Sequence, residues 1–340
     1  MSQFDYIKEI AKYGLENNQE ELLKVLNDLV TYSKQTKKTN FAIQLQSILK
    51  EGIRNKAHSG LSVVGSQKHL LREEDNDVKD FIIEKLTSDY NFDNLVISSD
   101  IKTELRYFVS EHQNLEMLQG FDLPVSNKIL FHGASGCGKT LASYVMAGEL
   151  DKIMIVISLG AIVSSKLGET SKNLAKIFRR AASEECVIFL DEFDSLGKMR
   201  DTNQDHAEMK RVVNTILQLF DYLPQKSIII AATNSVEAID PALMRRFDLK
   251  VEFNIPSKDQ IKELIQKTLK SGVFTLDKKV SLKKLIELSE GLSFYTIQRT
   301  LLTAIKRSLL NQSMTDKPKI TIIDSLLWQN LIKVEQENQH

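Results

Sequence analysis

The chain has 340 residues, which is room for two or three domains at about 100–200 residues each. Lysine plus arginine balance aspartate plus glutamate at 45 each, so no global field draws it to nucleic acid or to an anionic membrane. The N-terminus lacks the basic and apolar regions of a secretory signal, and the longest uncharged apolar stretch, Ile153 to Val163, is far short of the ~20 residues of a membrane helix. Two cysteines, Cys137 and Cys186, cannot build a disulfide framework. These features predict a reduced, cytoplasmic protein.

Residues 1–90 are polar, helical in pattern and nearly free of proline and glycine. Phe4, Ile7, Ala11 and Leu15 recur at helical spacing, as do Leu22, Leu26, Leu29 and Val30, and then Phe41, Leu45, Ile48 and Leu49. A small helical bundle follows from these stripes, suited to docking a substrate or partner. Residues 54–76 carry Arg54, Lys56, His58, Lys68, His69 and Arg72 without an interleaved aromatic, which reads as a basic linker rather than a stacking surface for bases. Val78, Phe81, Ile82 and Leu86 predict one more short amphipathic helix.

From about residue 92 to 255 short apolar runs alternate with amphipathic helices. The runs are Ile129–Phe131, Ile153–Ile157, Val187–Leu190, Ile228–Ala232 and Val251–Phe253. Such alternation predicts a parallel sheet covered by helices on both faces, with ligands gathered at the carboxyl ends of its strands. After Pro256 the pattern is helical again to about 312, and a last apolar segment runs from Ile320 to Val334. The predicted domains are therefore 1–90, 91–255 and 256–340.

Two stretches carry the chemistry. The first is Gly133-Ala134-Ser135-Gly136-Cys137-Gly138-Lys139-Thr140, preceded by a strand and followed by a helix from Leu141. Glycines let the backbone curl its N–H groups inward, and the helix presents its positive end to the same spot. Lys139 is placed to reach the β/γ-phosphates of a nucleoside triphosphate and Thr140 to offer a hydroxyl to Mg²⁺. The second is Val187–Leu190 ending in Asp191 and Glu192. A strand end delivering two carboxylates suits a Mg²⁺ contact at Asp191 and orientation of the attacking water at Glu192.

With Ala231-Ala-Thr-Asn234 and Asp240-Pro-Ala-Leu-Met-Arg245-Arg246-Phe247-Asp248 added in order, the stretch 92–312 resembles the AAA family of AAA+ ATPases. Within it, small single-ring bacterial members are the nearest in kind, with katanin- and spastin-type remodellers more distant. The resemblance implies a P-loop α/β domain with a C-terminal helical lid, using ATP and Mg²⁺. It implies that Asn234 contacts the attacking water or the γ-phosphate, and that Arg245 and Arg246 reach the nucleotide of the next subunit in an ATP-promoted, hexameric ring. Gly291, in Glu290-Gly-Leu-Ser-Phe294, falls at the lid turn, where it also reads as a simple helix C-cap.

A departure lies in the substrate-facing loop, Ser165-Lys166-Leu167-Gly168-Glu169: the family has an aromatic where Lys166 stands. The expectation is therefore a ring that remodels, unfolds or disassembles protein substrates, with grip from Lys166 and Leu167. A nucleotide-gated switch acting on an effector such as a protease is the alternative. A DNA-linked ATPase is disfavoured by the neutral charge balance, and no H-E-x-x-H motif supports a self-contained protease.

Overall fold

The computed structural model describes residues 82–159, 167–198, 205–269, 274–311 and 321–338, with scattered positions between 6 and 45. Among the latter, Val25, Leu29, Val30 and Ser33 are helical and buried, and Leu26 and Leu45 pack on Val30. The linker 54–76, Val78 and Phe81 lie outside the described residues.

Six strands form one sheet: β1 (Ile82–Leu86), β2 (Lys128–Gly133), β3 (Met154–Ser158), β4 (Val187–Asp191), β5 (Ile228–Thr233) and β6 (Leu249–Phe253), in the spatial order β1-β3-β4-β5-β2-β6. All pairings are parallel except β1 on β3. The strands read as unbroken apolar runs because both of their faces are buried. Successive side chains alternate between the two faces, as the pleat requires. Thus Leu130, Ile188, Leu190, Ile229 and Ala231 join the core cluster that holds Ile177, Phe178, Ile216 and Phe220. Their neighbours Ile129, Phe131, Val187, Phe189, Ile228 and Ile230 join the opposite one, with Leu105, Phe108, Val145 and Met146.

The helices supplying those partners are α1 (Ser99–Gln113) and, after the short α2 (Leu115–Gly120), α3 (Lys139–Glu149) on one face. On the other lie α4 (Leu167–Glu184) and α6 (Asp205–Tyr222), which follows the single turn α5 (Ser195–Lys198). The predicted three-layer α/β architecture is therefore present.

One element of the main sheet differs from the sequence reading. Ile82–Leu86 is an antiparallel edge strand, not a helix, so the sheet starts before residue 91. A short apolar run is compatible with either period, and here the open edge of β3 supplies hydrogen-bonding partners that no local pattern announces. Lys85 is buried on this strand and forms a hydrogen-bonded ion pair with Glu184, which Arg180 also contacts at 3.1 Å. Burial pushes the Glu184 carboxyl up, but Lys85 and then Arg180 outweigh it and hold the group below its ordinary value.

Past the single turn α7 (Pro241–Met244) and β6, a second unit begins with α8 (Lys258–Thr268), which Ser257 and Gln260 open with reciprocal capping bonds. It continues through α9 (Leu282–Leu288), α10 (Phe294–Asn311) and α11 (Ser325–Glu337). This part is not helical throughout: β7 (Phe274–Leu276) pairs in parallel with β8 (Thr321–Ile323), so the final apolar segment is a strand and then a helix. Asp324 caps α11 through the N–H of Leu326, and α11 buries Trp328, whose indole N–H donates to Thr300.

The Glu184 network gives a stability prediction with a sign. A carboxyl held below its usual pKa of about 4.5 contributes stability above that value and loses it as pH falls through the folded pKa. Replacing Lys85 by Met should cost about 1–3 kcal/mol at neutral pH in urea unfolding. The gap to the parent should narrow below about pH 4.

Candidate functional site

The chain leaves β2 at Gly133 and enters α3 at Lys139, and the intervening loop sits at the carboxyl ends of β2, β4 and β5. Gly133 has φ +126°, and a Cβ there would stand 2.3 Å from the Phe253 carbonyl oxygen at the end of β6. Only glycine permits that approach. Gly138 precedes α3 in the left-handed region and offers no side-chain cap, so the first N–H groups of the helix are left for another acceptor.

Lys139 is the centre of the site. Its side chain is buried, and its Nζ donates to the carbonyls of Gly133 at 2.7 Å and Ala134 at 2.8 Å and to Oδ1 of Asn234 at 2.7 Å. Burial lowers its pKa, while Cys137, Asp191 and Asp194 act in the opposite sense. The lysine thus folds back on its own loop and ties it to the end of β5.

Asp191 and Glu192 stand at the end of β4. The Glu192 N–H donates to Asp191 Oδ1 at 2.9 Å, and Glu192 adopts φ +52°, which turns its exposed side chain out of the strand. Asp194 was not singled out from sequence. It is buried and accepts from the Thr233 hydroxyl at 3.2 Å, bracing the residue before Asn234. The run of three acids within four positions was the signal for it.

Lys139, Asp191, Glu192 and Asn234 line one cleft of about 430 Å³. The loop 135–140, Leu141, Asp191, Glu192 and Asn234 form one side. Asn94, Leu95 and Val96 close it at one end, and Leu264, Phe294, Tyr295 and Gln298 enter from the second unit. Asn94, Leu95, Val96, Leu264, Tyr295 and Gln298 carry no motif and were missed from sequence, whereas Phe294 ends the lid-turn segment. The Gly291 turn leads into α10 with φ +86°, and Tyr295 N–H donates to the Gly136 carbonyl at 3.0 Å.

Among the described residues, the assigned positions Gly133, Ala134, Leu167, Gly168, Arg245 and Arg246 do not line the cleft. Arg245 and Arg246 follow α7 on the surface. Arg246 is engaged by Asp221 through a forked pair, Nε–Oδ1 at 2.7 Å and Nη2–Oδ2 at 3.1 Å, whereas Arg245 is exposed with no ion pair among the described residues. Lys166 lies outside the described residues, while Leu167 and Gly168 open α4.

Residues 129–255 match the model of the AAA family, "ATPase family associated with various cellular activities". An uncharacterized AAA family ATPase of Sinorhizobium fredii is 34% identical over 230 residues, covering 68% of each chain. The chain belongs to the AAA family of ATPases. The cell division cycle protein 48 homolog of Archaeoglobus fulgidus is 36% identical over 181 residues, 52% of this chain but 24% of that longer protein. The crystal structure of the FIGL-1 AAA domain superposes with a TM-score of 0.61 at 21% identity, over 78% of this chain and 90% of that domain, which supports the fold.

The AAA loop also fits Mg²⁺ beside a nucleotide. The described residues hold no cluster of three or more acidic, His or Cys side chains able to bind a metal by themselves. Thr140 is exposed at the head of α3 and Asp191 ends β4, so a cation there would draw its remaining ligands from phosphates and water, as Mg²⁺ prefers. Among the described residues no helix is long and apolar enough to cross a membrane.

Because the Gly133 position combines φ +126° with a 2.3 Å approach to Phe253, Gly133→Ala should force the ends of β2 and β6 apart. We expect a loss of roughly 2–4 kcal/mol in chemical denaturation, larger than the ordinary cost of removing a glycine.

Proposed function

We propose that the cleft binds ATP through residues 133–141, with Thr140 and Asp191 as the protein ligands of Mg²⁺. Hydrolysis would use Glu192 to orient and deprotonate the attacking water and Asn234 to hold that water or the γ-phosphate. The observation that carries this reading is the Lys139–Asn234 contact at 2.7 Å inside a cleft flanked by Asp191 and Glu192. It gathers a phosphate-binding cation, a neutral amide and two carboxylates around one point. A bound γ-phosphate offers the ammonium a stronger acceptor than the Gly133 and Ala134 carbonyls, so Lys139 exchanges neutral partners for a charged one. When bound, Mg²⁺ neutralises charge on the β- and γ-phosphates.

Arg245 and Arg246 do not line the cleft of their own chain, which favours their acting on the cleft of a neighbouring copy in a ring, hexameric as in the family. Guanidinium forks onto phosphate oxygens, as Arg246 already does onto Asp221. The ring would work on protein substrates, with residues 1–90 docking a substrate or partner and Lys166, Leu167 and Gly168 facing it. A second reading, a nucleotide-gated assembly switch for an effector, is favoured by Lys166, which supplies charge where stacking area would grip a chain.

Two variants test this. Lys139→Ala should lose ATP binding by at least about tenfold in a fluorescent-nucleotide titration, and unchanged affinity would remove the phosphate-loop assignment. Glu192→Gln should bind ATP without turnover. In light scattering behind a sizing column its mass should then rise from that of a small species to that of a ring once ATP and Mg²⁺ are added. Full turnover would assign the base elsewhere, and a monomer under saturating ATP would contradict an ATP-promoted ring.

A further inference from the structure

Phe294 occupies a position unlike any other among the described residues: its side chain packs against both the α/β core and the core of the second unit. It lines the nucleotide cleft and also a smaller cavity of about 100 Å³ behind the loop, which Val96, Ile101, Phe253 and Cys137 share. The next residue, Tyr295, donates its N–H to the Gly136 carbonyl at 3.0 Å. The contact is close: a Cβ added to Gly136 would fall 2.7 Å from Ser293 Oγ and 3.0 Å from Tyr295 Cβ. Ser293 and Tyr295, on either side of Phe294, therefore stand against the phosphate loop at Gly136.

That bond has a consequence for the loop's donors. In a planar trans peptide the carbonyl and the following N–H point in opposite directions. With the Gly136 carbonyl fixed toward the lid, the Cys137 N–H is turned to the other side of the loop, where it can serve an anion. Gly136 has φ +72° and no side chain to hold it, so without the lid this peptide plane is free to rotate. The Phe294 side chain packs on both cores, and the buried Cys137 side chain lines the same small cavity.

Resting on the phosphate-loop reading above, we propose that Phe294 is a positioning residue of the ATPase. It wedges the lid against the α/β core so that the Tyr295–Gly136 bond presets the phosphate loop for nucleotide. Phe294 is assigned no part in hydrolysis and acts through the loop, so it governs affinity rather than the chemical step.

The test compares Phe294→Ala and Phe294→Leu in the full chain, by fluorescent ATP-analogue titration, steady-state ATPase kinetics and thermal unfolding. For Phe294→Ala we expect Kd and KM for ATP to rise about tenfold with kcat held within about twofold, the signature of lost binding without lost chemistry. Phe294→Leu, which keeps apolar volume without the reach of the ring, should shift both by about threefold, and it carries the test if the alanine variant does not fold. A ring that merely fills space would lower the melting temperature and leave Kd within about twofold of the parent in both variants, which would overturn the proposal. A fall in kcat at unchanged Kd would overturn it equally. Lys139→Ala is titrated alongside. If it loses binding while the Phe294 variants do not, the wedge alone fails, and if it retains binding the phosphate-loop reading fails and the wedge with it.

Discussion

A buried ammonium must find acceptors, because an unpaired charge away from water costs several kcal/mol. Lys139 meets that demand with three oxygens drawn from two places, the loop after β2 and the turn after β5. The constraint reaches outward. Asn234 can receive the lysine only if β5 ends where it does, and the buried Asp194 beneath Thr233 fixes that end. The loop can curl under Lys139 only if Gly133 passes close to Phe253, which sets where β6 must lie beside β2. One cation thus links the carboxyl ends of three neighbouring strands.

The sheet order explains why this suffices for a site. With β2 between β5 and β6, and β4 beyond β5, the loop, Asn234 and the Asp191–Glu192 pair all emerge on one rim. The apolar strands are therefore both core and scaffold. Each alternate residue faces a helix layer, so no strand can slip by one position without exchanging the contents of two cores. Glu192 at φ +52° is the one strained member of the site's charged groups, held by an N–H bond to its neighbour Asp191. Backbone held in that region for a non-glycine residue is a feature of sites where direction matters more than local stability.

What sequence could reveal follows the same logic. Elements dictated by local pattern were legible: five of the six strands, the glycine-rich loop between β2 and α3, the paired acids at the end of β4 and the sheet's coverage on both faces. Elements dictated by a distant partner were not. Ile82–Leu86 is a strand because β3 has an open edge and Glu184 awaits Lys85, neither of which is visible within five residues. The short strand Phe274–Leu276 exists because Thr321–Ile323 returns beside it after two further helices. Likewise Asn94–Val96, Leu264 and Tyr295 enter the cleft through folding alone, with no spacing to mark them. The arginine pair was legible as a pair, but Asp221 in α6, which holds Arg246, was not.

That ion pair bears on how a single chain relates to an assembly. Arg246 and Asp221 are both about half exposed, so water screens them and their bond is a modest one. A triphosphate carries more charge than one carboxylate and accepts the same fork geometry, so a neighbouring nucleotide could take the guanidinium over at small cost. The pair would then keep the side chain extended and ordered until that exchange, removing part of the entropy otherwise lost when a long side chain is immobilised. Lys139 follows the same rule at the other end of the proposed site. On the proposed reading, each cation would be held in advance by oxygens that bind it more weakly than phosphate does, so nucleotide binding would substitute one set of partners for another and would not have to create order from a free side chain.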